Sequence, residues 1–126
     1  MTSPQRNALI VEDDELIALL LSDMLAEMGL RVCGVASTAA EAVALADKHR
    51  PDVVLMDVRL DGPEDGVDAA IEIHRRHPTP IIFVTGSSDR ETIARIERDR
   101  ATATLFKPIQ AAQLRAALDK SLKPSG

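Results

Sequence analysis

The groups best suited to chemistry in this sequence are carboxylates, one hydroxyl and one ammonium, and each follows a short apolar run. Glu12, Asp13, Asp14 and Glu15 come after ALIV, Asp57 after VVLM, Thr85 after IIFV and Lys107 after ATLF. Carboxylates brought together repel and raise each other's pKa unless a cation lies between them. A few carboxylate oxygens, with other positions left to water and a phosphoryl oxygen, suit Mg²⁺ better than zinc or calcium, and no nitrogen or sulfur ligand stands beside them. With a metal and a lysine neutralising charge on the transferring oxygens, Asp57 is fitted to be a nucleophile toward a phosphoryl group. Thr85 would donate a hydrogen bond to that group. Lys107, a compact charge on a flexible stem, would reach the free carboxylate or follow the phosphoryl oxygens.

For these residues to meet, the apolar runs must be parallel strands whose carboxyl ends share one rim. Apolar runs alternate with segments of helical periodicity five times, the pattern of an α/β fold. Strands are expected at Ala8 to Val11, Leu30 to Ala36, Asp52 to Met56, Ile81 to Val84 and Ala103 to Phe106, the last being the weakest. Ile81 to Val84 follows Pro80 and is apolar at every residue, which suits the central region of the sheet. The first helix carries Leu16, Leu19, Leu20, Met24 and Met28 at helical spacing and stops at Gly29. The second opens on a capping box of Thr38 and Glu41 and carries Ala42, Val43 and Leu45. The third presents Val67, Ala70, Ile71 and His74. The fourth, from Asp89 to Asp99, has only Ile93 and Ile96 as strong apolar anchors and should be the least firmly docked. The fifth carries Leu114, Ala117, Leu118 and Leu122. The expectation is a (βα)₅ flavodoxin-like, doubly wound, five-stranded parallel sheet in strand order 2-1-3-4-5, with its ligand site beyond the strand ends where strand order reverses.

Composition narrows the function. The 126 residues are expected to form one domain, with a core over about 7–122 and short flexible termini, a length that would leave no room for a separate output domain. A formal charge of −5 argues against direct binding to nucleic acid, whose phosphates need lysine and arginine. No signal peptide or run of about 18 apolar residues is present, so no membrane contact and a cytoplasmic location are expected. Cys33, alone in the chain, reads as a reduced, buried small hydrophobe. His49, His74 and His77 fall away from the strand ends and are assigned no chemistry.

Taken singly, each candidate has an ordinary structural reading. Acidic residues after a strand cap helices and favour the positive end of the helix dipole. Asp57 and Thr85 could each start a turn, and Lys107 could be a surface lysine. Their convergence on one rim lowers all of these readings together.

Four segments together resemble the receiver domains of bacterial response regulators, and the resemblance runs essentially end to end. LIVEDDE is similar to the family's acidic pair, VVLMDVRL to its phospho-acceptor strand around Asp57, IIFVTGSSD to its switch strand with Thr85, and LFKPI to its Lys-Pro pair. The resemblance implies Mg²⁺ held by Asp13, Asp57 and the backbone carbonyl of Arg59, with Glu12 acting through water, and a cis peptide between Lys107 and Pro108. It also implies a histidine kinase or histidine phosphotransfer protein as donor and a downstream protein target. A homodimer through the fourth helix, fifth strand and fifth helix belongs to the same expectation. The chain would then catalyse only its own Asp phosphorylation and dephosphorylation.

Two positions depart from the family. Thr104 stands where many receivers carry Tyr or Phe, so coupling to the output face must use backbone movement and aliphatic repacking. The loop Leu60 to Gly66 is about one residue longer than the commonest receiver version and carries three extra carboxylates that could tune access to an acyl phosphate. The missing aromatic lends weight to an alternative, a constitutive receiver-fold interaction module not controlled by phosphorylation. A flavodoxin-like cofactor binder fits less well, because Glu12 to Glu15 put negative charge where a cofactor phosphate needs donors. An aspartyl-phosphate hydrolase would need an acid where Arg59 stands.

Overall fold

A computed structural model describes residues 5–86, 90–98 and 103–122. The strands are β1 (Asn7–Val11), β2 (Arg31–Ala36), β3 (Val53–Met56), β4 (Ile81–Thr85) and β5 (Ala103–Phe106), and the helices are α1 (Glu15–Glu27), α2 (Ala39–His49), α3 (Gly66–Arg76), α4 (Arg90–Arg98) and α5 (Ala111–Ser121). The strands pair in parallel in the order β2-β1-β3-β4-β5, as the alternation of apolar runs implied. β3 is the middle strand and β4 lies beside it, in the central region expected for it. Every residue of both is buried, because any strand with neighbours on each side and helices on both faces must be apolar throughout.

Successive strand residues point to opposite faces and so feed two cores. Leu9, Val11, Val54, Met56 and Phe83 pack with residues of α2, α3 and α4, while Ala8, Ile10, Leu55, Ile82 and Val84 pack with α1 and α5. The sheet therefore holds the ends of β1, β3, β4 and β5 in fixed register on one rim.

The helix faces differ in places from their expected ones. α1 buries Ala18, Leu21 and Leu25 and leaves Leu16, Leu19 and Leu20 exposed by 79%, 60% and 57%. The run ELIALLLSDMLAE holds two apolar stripes of helical spacing, and the sheet takes the one that includes the small Ala18, which allows close approach. α2 likewise buries Ala39, Ala42 and Ala46, with Val43 and Leu45 only partly covered. α3 buries Val67, Ala70 and Ile73 but exposes Ile71. Half of the expected capping box forms: Thr38 Oγ1 accepts from Glu41 N at 3.1 Å, but the Glu41 carboxylate turns to the backbone and hydroxyl of Ser37. α4 buries only Ile96 among its residues, in line with its expected loose docking; Asp89 and Asp99, its expected ends, lie outside the described residues. Cys33 is half-buried, its Sγ donating to the Ala8 carbonyl, and burial pushes its thiol pKa up.

Candidate functional site at the strand ends

The end of β1 is fixed first. Glu12 N donates to Ala36 O at 2.8 Å, which carries the strand pairing one residue further and turns the Glu12 side chain inward, leaving the residue 3% exposed. Asp14 caps α1, its Oδ1 accepting from Leu16 N at 2.9 Å and Ile17 N at 3.3 Å. Its own N–H donates to Glu12 Oε2 at 3.1 Å. Of the four acidic residues after β1, then, Asp14 is committed to the helix, Glu15 lies in its first turn, and Glu12 and Asp13 face the rim.

β3 delivers Asp57 beside them. Asp57 N donates to Val11 O at 2.9 Å, and the residue is almost fully buried. Carboxylate oxygens of Glu12, Asp13 and Asp57 lie within 4.8 Å of one another. Partial burial and a hydrogen bond to Glu12 raise the Asp13 pKa above the usual carboxylate value. Arg59 N lies 3.4 Å from Asp57 Oδ1, and the arginine side chain is exposed.

Lys107 closes the cluster from β5. Its Nζ donates to Glu12 Oε1 at 2.8 Å and to Asp57 Oδ2 at 3.1 Å. Burial works against the ammonium charge, but the hydrogen bonds and charges of Glu12 and Asp57 outweigh it and hold the Lys107 pKa above that of an ordinary lysine. Lys107 N donates to Thr85 O at 2.9 Å, tying the ends of β4 and β5 together, and the Lys107-Pro108 peptide is cis. Thr85 itself is buried at the end of β4, paired in register with Phe106, and Gly86 after it is exposed. All the strand-end residues that the sequence singled out thus lie on one rim.

Three relationships at the site were not foreseen. Glu12 is a direct partner of Lys107. The first turn of α3 is pressed onto the Asp57 peptide: a Cβ on Gly66 would lie 1.9 Å from the Asp57 carbonyl oxygen, and Gly66 N donates to Val58 O at 2.7 Å. Finally, of the loop carboxylates expected to tune access, Asp65 instead caps α3 in a capping box with Asp68, while Asp61 and Glu64 are exposed. The Asp-Gly pair ahead of a helical pattern was the available signal for the last two. Thr104 is half-buried opposite Phe83, and Phe106 is 46% exposed.

A family model described as the response regulator receiver domain matches residues 8–119. The chain belongs to this family. It is 40% identical over 114 residues to the transcriptional regulatory protein PdtaR of Mycobacterium tuberculosis, a match covering 90% of this chain and 55% of that protein. It is 34% identical over 115 residues to the phyllosphere-induced regulator PhyR of Methylorubrum extorquens, covering 90% of this chain and 42% of that one. The receiver therefore spans about half the length of these relatives. Among solved structures, the signal receiver domain of a modulated diguanylate cyclase from Desulfovibrio desulfuricans superposes with a TM-score of 0.88 at 37% identity, covering 94% of each chain.

Proposed function

We propose that this receiver is a phosphorylation-dependent switch of a two-component or phosphorelay system, with Asp57 as phospho-acceptor. The observation that carries the reading is the gathering of the Glu12, Asp13 and Asp57 oxygens within 4.8 Å, with the Lys107 ammonium bonded to two of them. The all-oxygen donor set and the raised Asp13 fit Mg²⁺. Asp13, Asp57 and the Arg59 carbonyl would hold the ion, with Glu12 through water, and its chemistry there is neutralisation of charge on the phosphoryl oxygens.

In the transfer, an Asp57 carboxylate oxygen attacks phosphorus as the bond from phosphorus to a donor imidazole nitrogen breaks, the ring leaving with the electron pair. Lys107 moves from the free carboxylate to the incoming oxygens, and Thr85 donates a hydrogen bond to the same group. Hydrolysis later returns the carboxylate and inorganic phosphate. The domain thus acts only on its own Asp57 and signals by protein contact. The donor is a histidine kinase or histidine phosphotransfer protein, for which the exposed Leu16, Leu19 and Leu20 of α1 offer apolar surface. The downstream target, or a second receiver, meets the face of α4, β5 and α5. A cytoplasmic location and no direct nucleic-acid contact complete the reading; among the described residues no helix is long and apolar enough to cross a membrane.

Incubation with Mg²⁺ and acetyl phosphate should add one phosphoryl group by intact mass, and Asp57→Asn should abolish it. Unchanged uptake in that variant sinks the assignment. The absence of an aromatic at Thr104 favours a second reading, a constitutive interaction module. Partner affinity that is equal with and without a phosphoryl mimic would select it, since equal affinity for two states shifts nothing.

A further inference from the structure

With Thr104 in place of an aromatic, the β4–β5 side of the site offers little bulk to move α4, and α4 itself is held to the sheet by one buried side chain, Ile96. A second attachment is made by the residue next to it, about 100° further round the helix. Arg95 Nη1 donates to Asp65 Oδ2 at 2.6 Å, and Nη2 donates to Asp65 Oδ1 at 3.3 Å and to Asp68 Oδ1 at 3.1 Å. Both carboxylates belong to the first turn of α3, where they also bond to each other's backbone N–H at 3.0 and 2.9 Å. A planar guanidinium forked over two carboxylates fixes orientation as well as distance.

That turn of α3 is rigidly joined to the reacting residue. Gly66, between the cap Asp65 and the body of the helix, leaves no space between α3 and the Asp57 carbonyl, and its N–H is bonded to Val58 O. Movement of the Asp57–Arg59 backbone must therefore carry Asp65 and Asp68 with it, because close-packed elements transmit displacement rather than absorb it.

We propose that Arg95 is a positioning residue that couples Asp57 to α4 through the first turn of α3, a route that bypasses β5, where the aromatic is missing. The proposal rests on phosphorylation of Asp57 as its trigger. Phosphorylation shifts the 57–59 backbone, the turn at Asp65 to Asp68 follows, and the Arg95 fork is re-aimed, tilting α4 about Ile96.

The test is amide hydrogen exchange of α4 with and without Mg²⁺ and acetyl phosphate, in wild type and Arg95→Gln, with phosphoryl uptake followed by intact mass in the same samples. Wild type should show a severalfold change in α4 exchange on phosphorylation. Arg95→Gln should take up phosphoryl at close to the wild-type rate but lose that change, while exchange near Asp57 still responds. A purely structural role would raise α4 exchange equally in both states and leave the response in place, and this outcome overturns the proposal. Asp68→Asn, which leaves Arg95 its bonds to Asp65, should give an intermediate response and decides the matter if Arg95→Gln does not fold; a full wild-type response in it then counts against the coupling. A wild-type chain that accepts no phosphoryl group overturns the functional reading instead, and the coupling falls with it.

Discussion

Lys107 Nζ sits 2.8 Å from Glu12 Oε1, pairing a half-buried ammonium with a carboxylate whose side chain is 1% exposed. Taking such a carboxylate out of water costs several kcal/mol, which only a well-placed cation offsets. The lysine is therefore part of the stability of the resting site as well as of its chemistry. Lys107→Met should destabilise the domain by about 3 kcal/mol in urea titration at neutral pH. Adding Glu12→Gln should recover part of that loss, since the Glu12 charge is then removed while the buried Asp57 carboxylate still lacks its lysine. If the double variant is less stable than Lys107→Met alone, Glu12 does not depend on this partner.

Gly66→Ala tests the junction between α3 and Asp57. In an ordinary helix first turn the substitution is mildly stabilising, because alanine has the better helix propensity. Here the new Cβ would stand 1.9 Å from a backbone oxygen, which no rotamer change can relieve. A loss of about 2–3 kcal/mol is expected, along with slower phosphoryl uptake as the Asp57 peptide is displaced. Neutral or raised stability in a thermal melt would show that the turn yields at no cost.

The strands and the rim were legible in the sequence because each is a local pattern. VVLM and IIFV are apolar at every residue, as doubly covered strands require, and the chemistry-bearing residue comes immediately after each run. The faces of α1 were not legible, since ELIALLLSDMLAE satisfies helical periodicity on two stripes and only contact with the sheet chooses between them. Glu12–Lys107 and Arg95–Asp65 join residues 95 and 30 positions apart, and no local spacing marks such pairs. Gly66 was visible as a glycine, but the backbone it admits belongs to another element.

The choice of stripe on α1 has a direct consequence. Leu16, Leu19 and Leu20 contribute little to the core, so replacing all three by serine should change stability by less than about 1 kcal/mol, as for ordinary surface positions. Leu21→Ala and Leu25→Ala, on the buried stripe, should each cost about 2–5 kcal/mol. The triple serine variant should still accept phosphoryl from acetyl phosphate yet receive it more slowly from a phosphohistidine protein. Comparable losses in chemical denaturation from both stripes would show that α1 docks by a different face.

The Arg95 fork also predicts how stability depends on pH. Burial raises the Asp65 pKa, but hydrogen bonds from Arg95 and the Asp68 backbone, with the charge of Arg95, outweigh it and leave the pKa below the ordinary aspartate value. A carboxylate with a depressed folded pKa binds protons less readily folded than unfolded, so its stabilisation is complete above the unfolded pKa of about 4 and is lost as pH falls through the folded value. Arg95→Gln should therefore cost about 1 kcal/mol at pH 7, the scale of a partly exposed ion pair, and the difference from wild type should shrink as the pH falls below about 4. Glu41, Asp47 and Glu72, lowered by other partners, titrate alike in both proteins and cancel in the comparison. A difference that stays constant to low pH would mean that Arg95 contributes packing and no charge interaction.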